Sequence, residues 1–322
     1  MTSPADASRN FSFLIWQAYS LQTRCANIRL FAAFQETTVN ATPAVTTATP
    51  RFNRATQDVG NIVEFGHVNL RVPDQQQAII FYVMGLGLTR DPYLRTGIDN
   101  AWINVGSCQF HLPTGPAQVL RGMTGLVMPS LDALMARLAG VQPLLKGTKF
   151  AFAQSGEGVD VTCPWGNRVR VHAPDAARFG AMTLGMPYVA MDAGPGSTEG
   201  IARFYTDVFN AVTRTGEDAA GRFAHITAGP AQSLIYRETS RDLPPYDGHH
   251  LQIAVADFSA VHGRLLERGL ITEESSASQY RFQDIIDLAT GRVLAVIEHE
   301  VRSMRHPLFA RALVNRSHEQ PL

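Results

Sequence analysis

The 322-residue sequence has little that would cross-link it covalently or attach it to a charged or apolar surface. Its three cysteines, Cys25, Cys108 and Cys163, are widely spaced and odd in number, so they form neither a disulfide framework nor a zinc knuckle. This cysteine usage suits a reducing compartment, and we expect a cytoplasmic protein. Lys+Arg equals Asp+Glu at 28 each, which argues against a nucleic-acid partner. No apolar run approaches the roughly 20 residues that span a bilayer, so no membrane partner is expected.

The sequence does have the composition of a globular protein, with 45% hydrophobic and 17% charged residues. Its length allows two domains, each with a core of its own. Residues 1–60 differ from the rest, because ETTVNATPAVTTATP is rich in threonine, alanine and proline and has no periodicity. We therefore predict that residues 1–60 form a disordered N-terminal extension.

A unit of strands and a helix repeats along the remainder of the chain. The stretch GHHLQIAVADFSA aligns with the earlier GHVNLRVPDQQQA, so that His67 falls on His250 and Asp74 on Asp257. The first unit consists of an alternating strand, FGHVNLRV, a helix with apolar spacing, DQQQAIIFYVMGLG, and three short strand candidates. Similar units begin at RGMTGLVMP, MPYVAMDA and HHLQIAV. The repetition predicts four β-α-β-β-β units.

The four units predict both the fold class and the domain boundaries. Each helix can cover one face of its own sheet, while the other face needs a partner unit. We therefore predict an α+β protein in which four βαβββ modules form two curved-sheet domains, each around a concave cup. The predicted boundaries are 61–180 for the domain of modules one and two, 181–302 for the domain of modules three and four, and 303–322 for a C-terminal tail.

This organisation resembles the vicinal oxygen chelate superfamily, which includes glyoxalases, extradiol dioxygenases and bleomycin-resistance proteins. The resemblance covers residues 64–301 and depends on four motifs in the expected order: FYVMGLGL, PWGNRVRVHAPD, ARFYTDVF and GHHLQIAV. It implies that metal ligands come from the first and last strands of two partnered modules and face their shared cup. The histidine register places the four first-strand positions at His67, Met123, Tyr188 and His250.

A metal site is expected where the first and fourth modules meet. If these modules pair, His67 and His250 converge with Glu298 of the last strand, whereas pairing of modules one and two would separate the two histidines. Glu300 lies on the same strand face as Glu298 and is the alternative carboxylate. His249 points to the opposite face from His250 by strand alternation. The second cup has Met123, Arg170 and Tyr188 at the ligand positions, so we expect no metal there.

Two histidines and one carboxylate form the ligand set of many non-haem Fe(II) sites, with open positions for substrate and O₂. The arrangement resembles the hydroquinone ring-cleaving dioxygenases, whose ligands also come from the first and last modules. The resemblance implies an Fe(II)-dependent dioxygenase of a small phenolic or enolisable substrate, with Mn²⁺, Zn²⁺ or Ni²⁺ as alternative metals. His111 is a candidate fourth ligand or proton-transfer residue. Tyr280 is a candidate donor of a hydrogen bond to a substrate oxygen.

Two other functions are compatible with the sequence. One is a glyoxalase-type lyase or isomerase, in which a redox-inactive metal stabilises an enediolate and a fourth ligand completes the site. The other is a metal-free protein that sequesters an aromatic drug in the cup. In each case the expected partner is a small molecule, and the basic tail after module four is a candidate cover for the cup or a contact in a homodimer.

Overall fold

The structure is a computed structural model, which describes residues 52–94, 97 and 99–316. Most of the predicted extension 1–60 therefore lies outside the described residues. Its last residues contain one 3₁₀ turn at Arg54–Gln57 before the first strand begins. Among the described residues, no helix combines the length and the hydropathy needed to cross a membrane.

The elements of the first two modules follow the predicted order. Those of module one are β1 (Ile62–Asn69), α1 (Gln75–Ile79) with a π-helical continuation (Ile80–Gly85), β2 (Thr89–Arg90), β3 (Asn100–Val105) and β4 (Cys108–Pro113). Those of module two are β5 (Gly122–Val127), α2 (Leu131–Val141) with a 3₁₀ turn (Gln142–Leu145), β6 (Ala151–Ser155), β7 (Gly158–Thr162) and β8 (Arg168–His172). A short helix, α3 (Ala176–Phe179), leads into the third module.

The last two modules contain the same kinds of element in the same order. The elements of module three are β9 (Gly185–Ala193), α4 (Thr198–Phe209), β10 (Thr213–Asp218), β11 (Gly221–Thr227) and β12 (Ser233–Glu238). Those of module four are β13 (His250–Val255), α5 (Phe258–Leu266), β14 (Ile271–Ser276), β15 (Gln279–Ile286) and β16 (Val293–Ser303). The predicted α+β fold of four βαβββ modules is confirmed.

The strands form two eight-stranded sheets within the described residues. The first sheet has the order β14-β15-β16-β13-β1-β4-β3-β2, and the second has the order β10-β11-β12-β9-β5-β8-β7-β6. In each module the first and last strands are parallel, as in β1 with β4, because the helix carries the chain back to the starting edge. The two modules of a sheet meet through their antiparallel first strands, β1 with β13 and β5 with β9.

The sheets join module one to module four and module two to module three. Of the two pairings that the sequence left open, the structure has modules one and four together. The predicted boundaries 61–180 and 181–302 divide the chain by sequence order, and they do not coincide with the sheets, because each sheet takes one module from either half. The first sheet thus encloses a cup built from both ends of the repeat region, and the second sheet encloses a cup built from its middle.

Strand alternation explains why each sheet has one apolar and one polar face. In β13, the side chains of Leu251, Ile253 and Val255 are buried on the helix side, while His250 and Gln252 occupy the cup side. The same alternation of apolar with polar residues is visible in the β16 sequence VIEHEVR. Polar side chains therefore line the cup even though most of them are buried.

The helices pack in a layer that contacts both sheets. Helix α2 packs against the π-helical segment of module one, and α4 packs against α5 and against strands of both sheets. Apolar residues of α4 recur at helical spacing and are buried, namely Ile201, Phe204, Tyr205, Val208 and Phe209. The Tyr205 hydroxyl lies 2.7 Å from the Tyr236 hydroxyl of the second sheet and 2.6 Å from Nε2 of His299 in the first. This buried hydrogen-bond chain connects the two sheets through one helix.

The C-terminal tail, defined here as residues 304–316, lies across one end of the first cup. Its Ala310 amide donates a hydrogen bond to Glu64 of β1. The Asn104 side chain of β3 donates to the Val314 carbonyl at 2.9 Å. Near β2, Arg311 Nη2 lies 2.5 Å from the Asp91 carboxylate, whose side chain is buried. The tail therefore packs on its own chain and helps to bury the polar face of the first sheet.

We expect Arg311→Ala to lower the free energy of unfolding by about 1–3 kcal/mol, because it leaves the buried Asp91 carboxylate without its charged partner. Burial alone would raise the pKa of Asp91, but hydrogen bonds from Arg311 and two backbone amides lower it. The stabilisation should therefore be present at neutral pH and be lost in acid, as pH falls through this lowered pKa. Urea unfolding monitored by circular dichroism tests this. Arg305→Ala, at an exposed tail position, is the matched control and should change stability by less than about 0.5 kcal/mol.

Candidate metal centre

Three histidines on adjacent strands of the first sheet meet in its cup. They are His67 of β1, His111 of β4 and His250 of β13, and one ring nitrogen of each lies within 4.8 Å of the others. The strand register accounts for this, because Asn69 of β1 is the partner of both His111 and His250. His67 lies two residues before Asn69 on the same face. Side chains from three strands thereby converge on one point.

A bulge in β1 directs His67 towards this point. The register of β1 with β13 shifts between Phe65 and His67, so that Gly66 is the extra residue. A Cβ atom at Gly66 would lie 1.9 Å from Oε1 of Gln252, so no side chain fits there without displacing that residue. The glycine in the motif FGHVN is thus explained by close packing beside the cluster.

The three Nε2 atoms are buried and have no hydrogen-bond partner among the described residues. His67 and His250 are only 2% and 6% exposed, so water does not supply the missing partner from bulk solvent. A buried polar atom without a partner costs about 1–3 kcal/mol. Three such atoms that face one another are the arrangement expected of ligands for a metal ion, since Zn²⁺ and Fe²⁺ bind imidazole nitrogen.

The environment keeps the three imidazoles neutral. Burial lowers the pKa of His67, His111 and His250, and the charges of Arg302 and Arg281 lower it further. The pKa of His111 falls to about 3. Only the neutral ring can donate its lone pair to a metal, so the cluster is in its ligand form at neutral pH.

Aromatic contacts fix the orientation of the cluster. The Trp102 ring of β3 stacks on His111 with a centroid separation of 3.8 Å and an interplanar angle of 11°. The edge of Trp102 also meets the His67 ring, with centroids 5.1 Å apart. Packing therefore restricts the rotamers of two of the three rings. Metal binding then has to restrict the conformation of these side chains very little.

Two carboxylates of β16 border the cluster, and both are in ion pairs. Glu298 is the register partner of His250, and its Oε1 lies 3.3 Å from His250 Nδ1. Oε2 of Glu300 lies 3.6 Å from His250 Nε2. Arg281 contacts both carboxylates, at 2.6 Å from Glu298 and 2.9 Å from Glu300, and Arg302 contacts Glu300 at 2.6 Å. The two acids thus share two arginines, and Arg281 also pairs with Glu273 of β14 at 3.6 Å.

The predicted ligands are thus brought to one cup, with one difference in their grouping. His67 and His250 converge as expected, and His111 completes the cluster. Glu298 lies beside His250, but its carboxylate is held by Arg281. Metal ligation by His67, His250 and Glu298 stays a prediction.

Tyr280 requires a correction. It precedes Arg281 in β15 and therefore points to the opposite face, where its ring contacts Phe258 and His262 of α5. The structure does not bring it to the cup, so the expected hydrogen bond to a substrate has no geometric support. His249 also points away from the cluster, as predicted, and its Nδ1 lies 2.6 Å from the Asp247 carboxylate.

Sequence reasoning did not single out Trp102 or Asn69 as cup residues. The alternation QYRFQD places Arg281 on the polar face of β15. Asn69 lies two residues after His67, and its buried Oδ1 has no hydrogen-bond partner among the described residues. The stacking of Trp102 on His111 depends on the register between β3 and β4, which the sequence pattern does not provide.

The fold is that of vicinal oxygen chelate proteins, as structural comparison shows. Glyoxalase I from Zea mays is 14% identical, covers 74% of this chain and 92% of its own, and superposes with a TM-score of 0.50. A point mutant of the same enzyme gives 0.53 at 14% identity, covering 74% of this chain and 93% of its own. A protein from Bacillus subtilis subsp. subtilis str. 168, described as a candidate dioxygenase, gives 0.51 at 14% identity, covering 77% and 87%. No protein-family model and no curated protein matches the sequence.

We expect the apo protein to lose stability as pH falls below about 6.5, because the unfolded chain binds protons there that the native histidines reject. The His111 contribution is complete above pH 6.5 and is lost as the pH falls towards its native pKa of about 3. His111→Gln should reduce the slope of unfolding free energy against pH by up to about 1.4 kcal/mol per unit. Denaturant titrations with chelator between pH 7 and 4 measure this, and an unchanged slope would show that the pKa of His111 is the same in the native and the unfolded chain.

Proposed function

We propose that the protein is a metal-dependent enzyme of the vicinal oxygen chelate type, with His67, His111 and His250 as the ligands of one divalent ion. The observation that carries the proposal is the cluster of His67, His111 and His250, whose ring nitrogens lie within 4.8 Å of one another and whose buried Nε2 atoms have no hydrogen-bond partner among the described residues. Three neutral donors fit such an ion, because they satisfy it without cancelling its charge. A bound ion would act as a Lewis acid towards two adjacent substrate oxygens and, if it is Fe(II), would also provide a site for O₂.

The residues around the cluster suit a small substrate with vicinal oxygens. Asn69 shares the cup face with the ligands, and its Oδ1 can accept a hydrogen bond from a substrate hydroxyl. Trp102 offers an aromatic wall beside His111. The near-complete burial of His67 and His250 limits the access of bulk water to the ligands. A phenolic or enolisable substrate could donate a hydrogen bond from its hydroxyl to Asn69 and place its flat body against Trp102, away from bulk water.

The ion pairs of β16 favour a dioxygenase over a glyoxalase-type isomerase. Proton abstraction next to a carbonyl needs a free base close to the metal. The two nearby carboxylates, Glu298 and Glu300, are both engaged by Arg281, and Glu300 is also engaged by Arg302. A carboxylate held by a guanidinium is a weaker base. We therefore place an Fe(II)-dependent dioxygenase first and the isomerase second.

The function is tested by the metal content of protein purified without added metal, followed by oxygen uptake. After anaerobic loading with Fe(II), we expect uptake that depends on a catechol or a hydroquinone from a substrate panel. Bound zinc or nickel, with no uptake after iron loading and with turnover of a hemithioacetal, would contradict the dioxygenase and support the isomerase. Protein that binds none of these metals would overturn both.

The histidine cluster makes a specific prediction about ligand identity. His67→Ala, His111→Gln and His250→Ala should each lower metal affinity at least about tenfold, since each removes one of three donors. His225→Gln, in the second cup, is the matched control and should retain the metal. Plasma emission spectrometry after dialysis measures metal retention, and circular dichroism checks the fold of each variant.

Glu298→Gln separates the two candidate ligand sets. If the three histidines are the ligands, this variant should keep its metal while His111→Gln loses it. If Glu298 instead leaves Arg281 and binds the metal with His67 and His250, the result should be the opposite. Glu298→Gln should then lose its metal, while His111→Gln keeps it. Glu300→Gln, measured in parallel, tests the second carboxylate near His250.

A further inference from the structure

The second sheet has a cup of its own, and it contains a cavity of about 850 Å³. The cavity lies on the face that corresponds, in the internal repeat, to the histidine cup of the first sheet. Met123 of β5 and Tyr188 of β9 line it at the positions equivalent to His67 and His250. Its size is within the roughly 300–1,000 Å³ range of small-molecule sites.

The buried floor of this cavity is aromatic. The His172 ring lies 5.1 Å from the Phe179 ring and 5.8 Å from the Tyr188 ring, measured between centroids, and all three residues line the cavity. Nε2 of His172 lies 2.8 Å from the Tyr188 hydroxyl. Burial, together with the charges of Arg178 and Arg170, lowers the pKa of His172 to about 4, so the floor is neutral at physiological pH. Met123 and Ile235 add apolar surface.

The mouth of the cavity is positively charged. Its lining contains five arginines and three aspartates. Three of these arginines are neutralised in ion pairs: Arg170 with Asp160 at 2.7 Å, Arg168 with Asp192 at 3.5 Å, and Arg237 with Asp218 at 2.8 Å. Two remain, Arg178 and Arg214, which are exposed and have no carboxylate partner among the described residues. Only Asp58 opposes them in the lining, and Asp192 is shared between Arg168 and Arg241, so positive charge is in excess at the mouth.

The two remaining guanidinium groups are partly held in place. Arg178 lies over the Phe179 ring at 4.8 Å from its centroid, and Arg214 lies over the Phe223 ring at 5.2 Å. Stacking of this kind uses the faces of the guanidinium and leaves its N–H groups free in its plane. Carboxylates are the anions that such planar donors bind best, by two parallel hydrogen bonds.

We propose that the cavity of the second cup is a binding site for an aromatic monocarboxylate, with the ring on the floor formed by His172, Phe179 and Tyr188 and the carboxylate at the mouth near Arg178 and Arg214. The excess positive charge at the mouth matches the negative charge of a carboxylate. The aromatic floor matches a flat apolar body. This site is distinct from the histidine cluster, which lies in the other sheet and has neutral donors.

Calorimetric titration of the full chain with 2-naphthoate tests the proposal, with 2-naphthamide as the neutral analogue and inorganic phosphate as an anion without an apolar body. We expect 2-naphthoate to bind with a dissociation constant below about 1 mM, and both analogues to bind at least about tenfold more weakly. The affinity should fall as NaCl rises from 50 to about 500 mM, because salt screens the exposed arginines. Equal affinity for naphthoate and naphthamide would overturn the role of charge.

Variants place the ligand in this cup. The double variant Arg178→Gln/Arg214→Gln should bind naphthoate at least about tenfold more weakly. Arg222→Gln, an exposed arginine paired with Glu199 and outside the lining, is the matched control and should bind within about twofold of the parent. Loss of binding in His67→Ala/His250→Ala, but not in the arginine variant, would locate the ligand in the first cup and overturn the proposal. Failure of the metal-site proposal would leave the naphthoate result unchanged.

Discussion

The antiparallel pairing of β1 with β13 is the contact on which the rest of the structure depends. It joins the first module to the last, and it is the reason that His67 and His250 face the same cup although most of the repeat region separates them in sequence. The bulge at Gly66 and the parallel neighbours β4 and β16 then set the third histidine and the two carboxylates around that pair. Without this pairing, His67 and His111 would lie together in one half-sheet and His250 would lie alone in another.

The two cups have the same fold but differ in the charge of the side chains that line them. In the first cup, neutral histidines meet a network of two glutamates and two arginines, and the polar face is buried partly by the C-terminal tail. In the second cup, the arginines are at an open mouth, and an aromatic floor takes the place of the ligands. The difference comes from side chains at equivalent positions of the repeat, since the strand order around the two cups is the same. Burial disfavours a charge in the first cup, whereas solvent tolerates it at the mouth of the second.

The sequence predicted those features that depend on periodicity. The four modules and the convergence of His67 with His250 follow from a repeat whose register is visible in the motifs GHVNLRV and GHHLQIAV. Features that depend on strand register or on hairpin length were less accessible. Arg281 contacts Glu298 and Glu300 only because β15 pairs with β16 in one particular register. Tyr280 is the neighbouring residue, so its side chain lies on the opposite face of β15. The alternation in QYRFQD separates Tyr280 and Phe282 from Arg281, but it does not give the register with β16 that brings Arg281 to the two glutamates.

The first sheet combines the first and last modules, and the second combines the two modules between them, which affects how the chain folds. The second sheet is built from consecutive modules and can form from a continuous segment. The first sheet must wait until β13 and β16 have been synthesised, so β1 keeps an unpaired edge until module four is made. Contacts between distant segments form slowly, because loop closure costs entropy before the contacts repay it. The sheet that holds the histidines is therefore the one more exposed to strand mispairing between newly made chains. A chaperone or a low synthesis rate would improve the folding of this sheet more than that of the arginine-lined sheet.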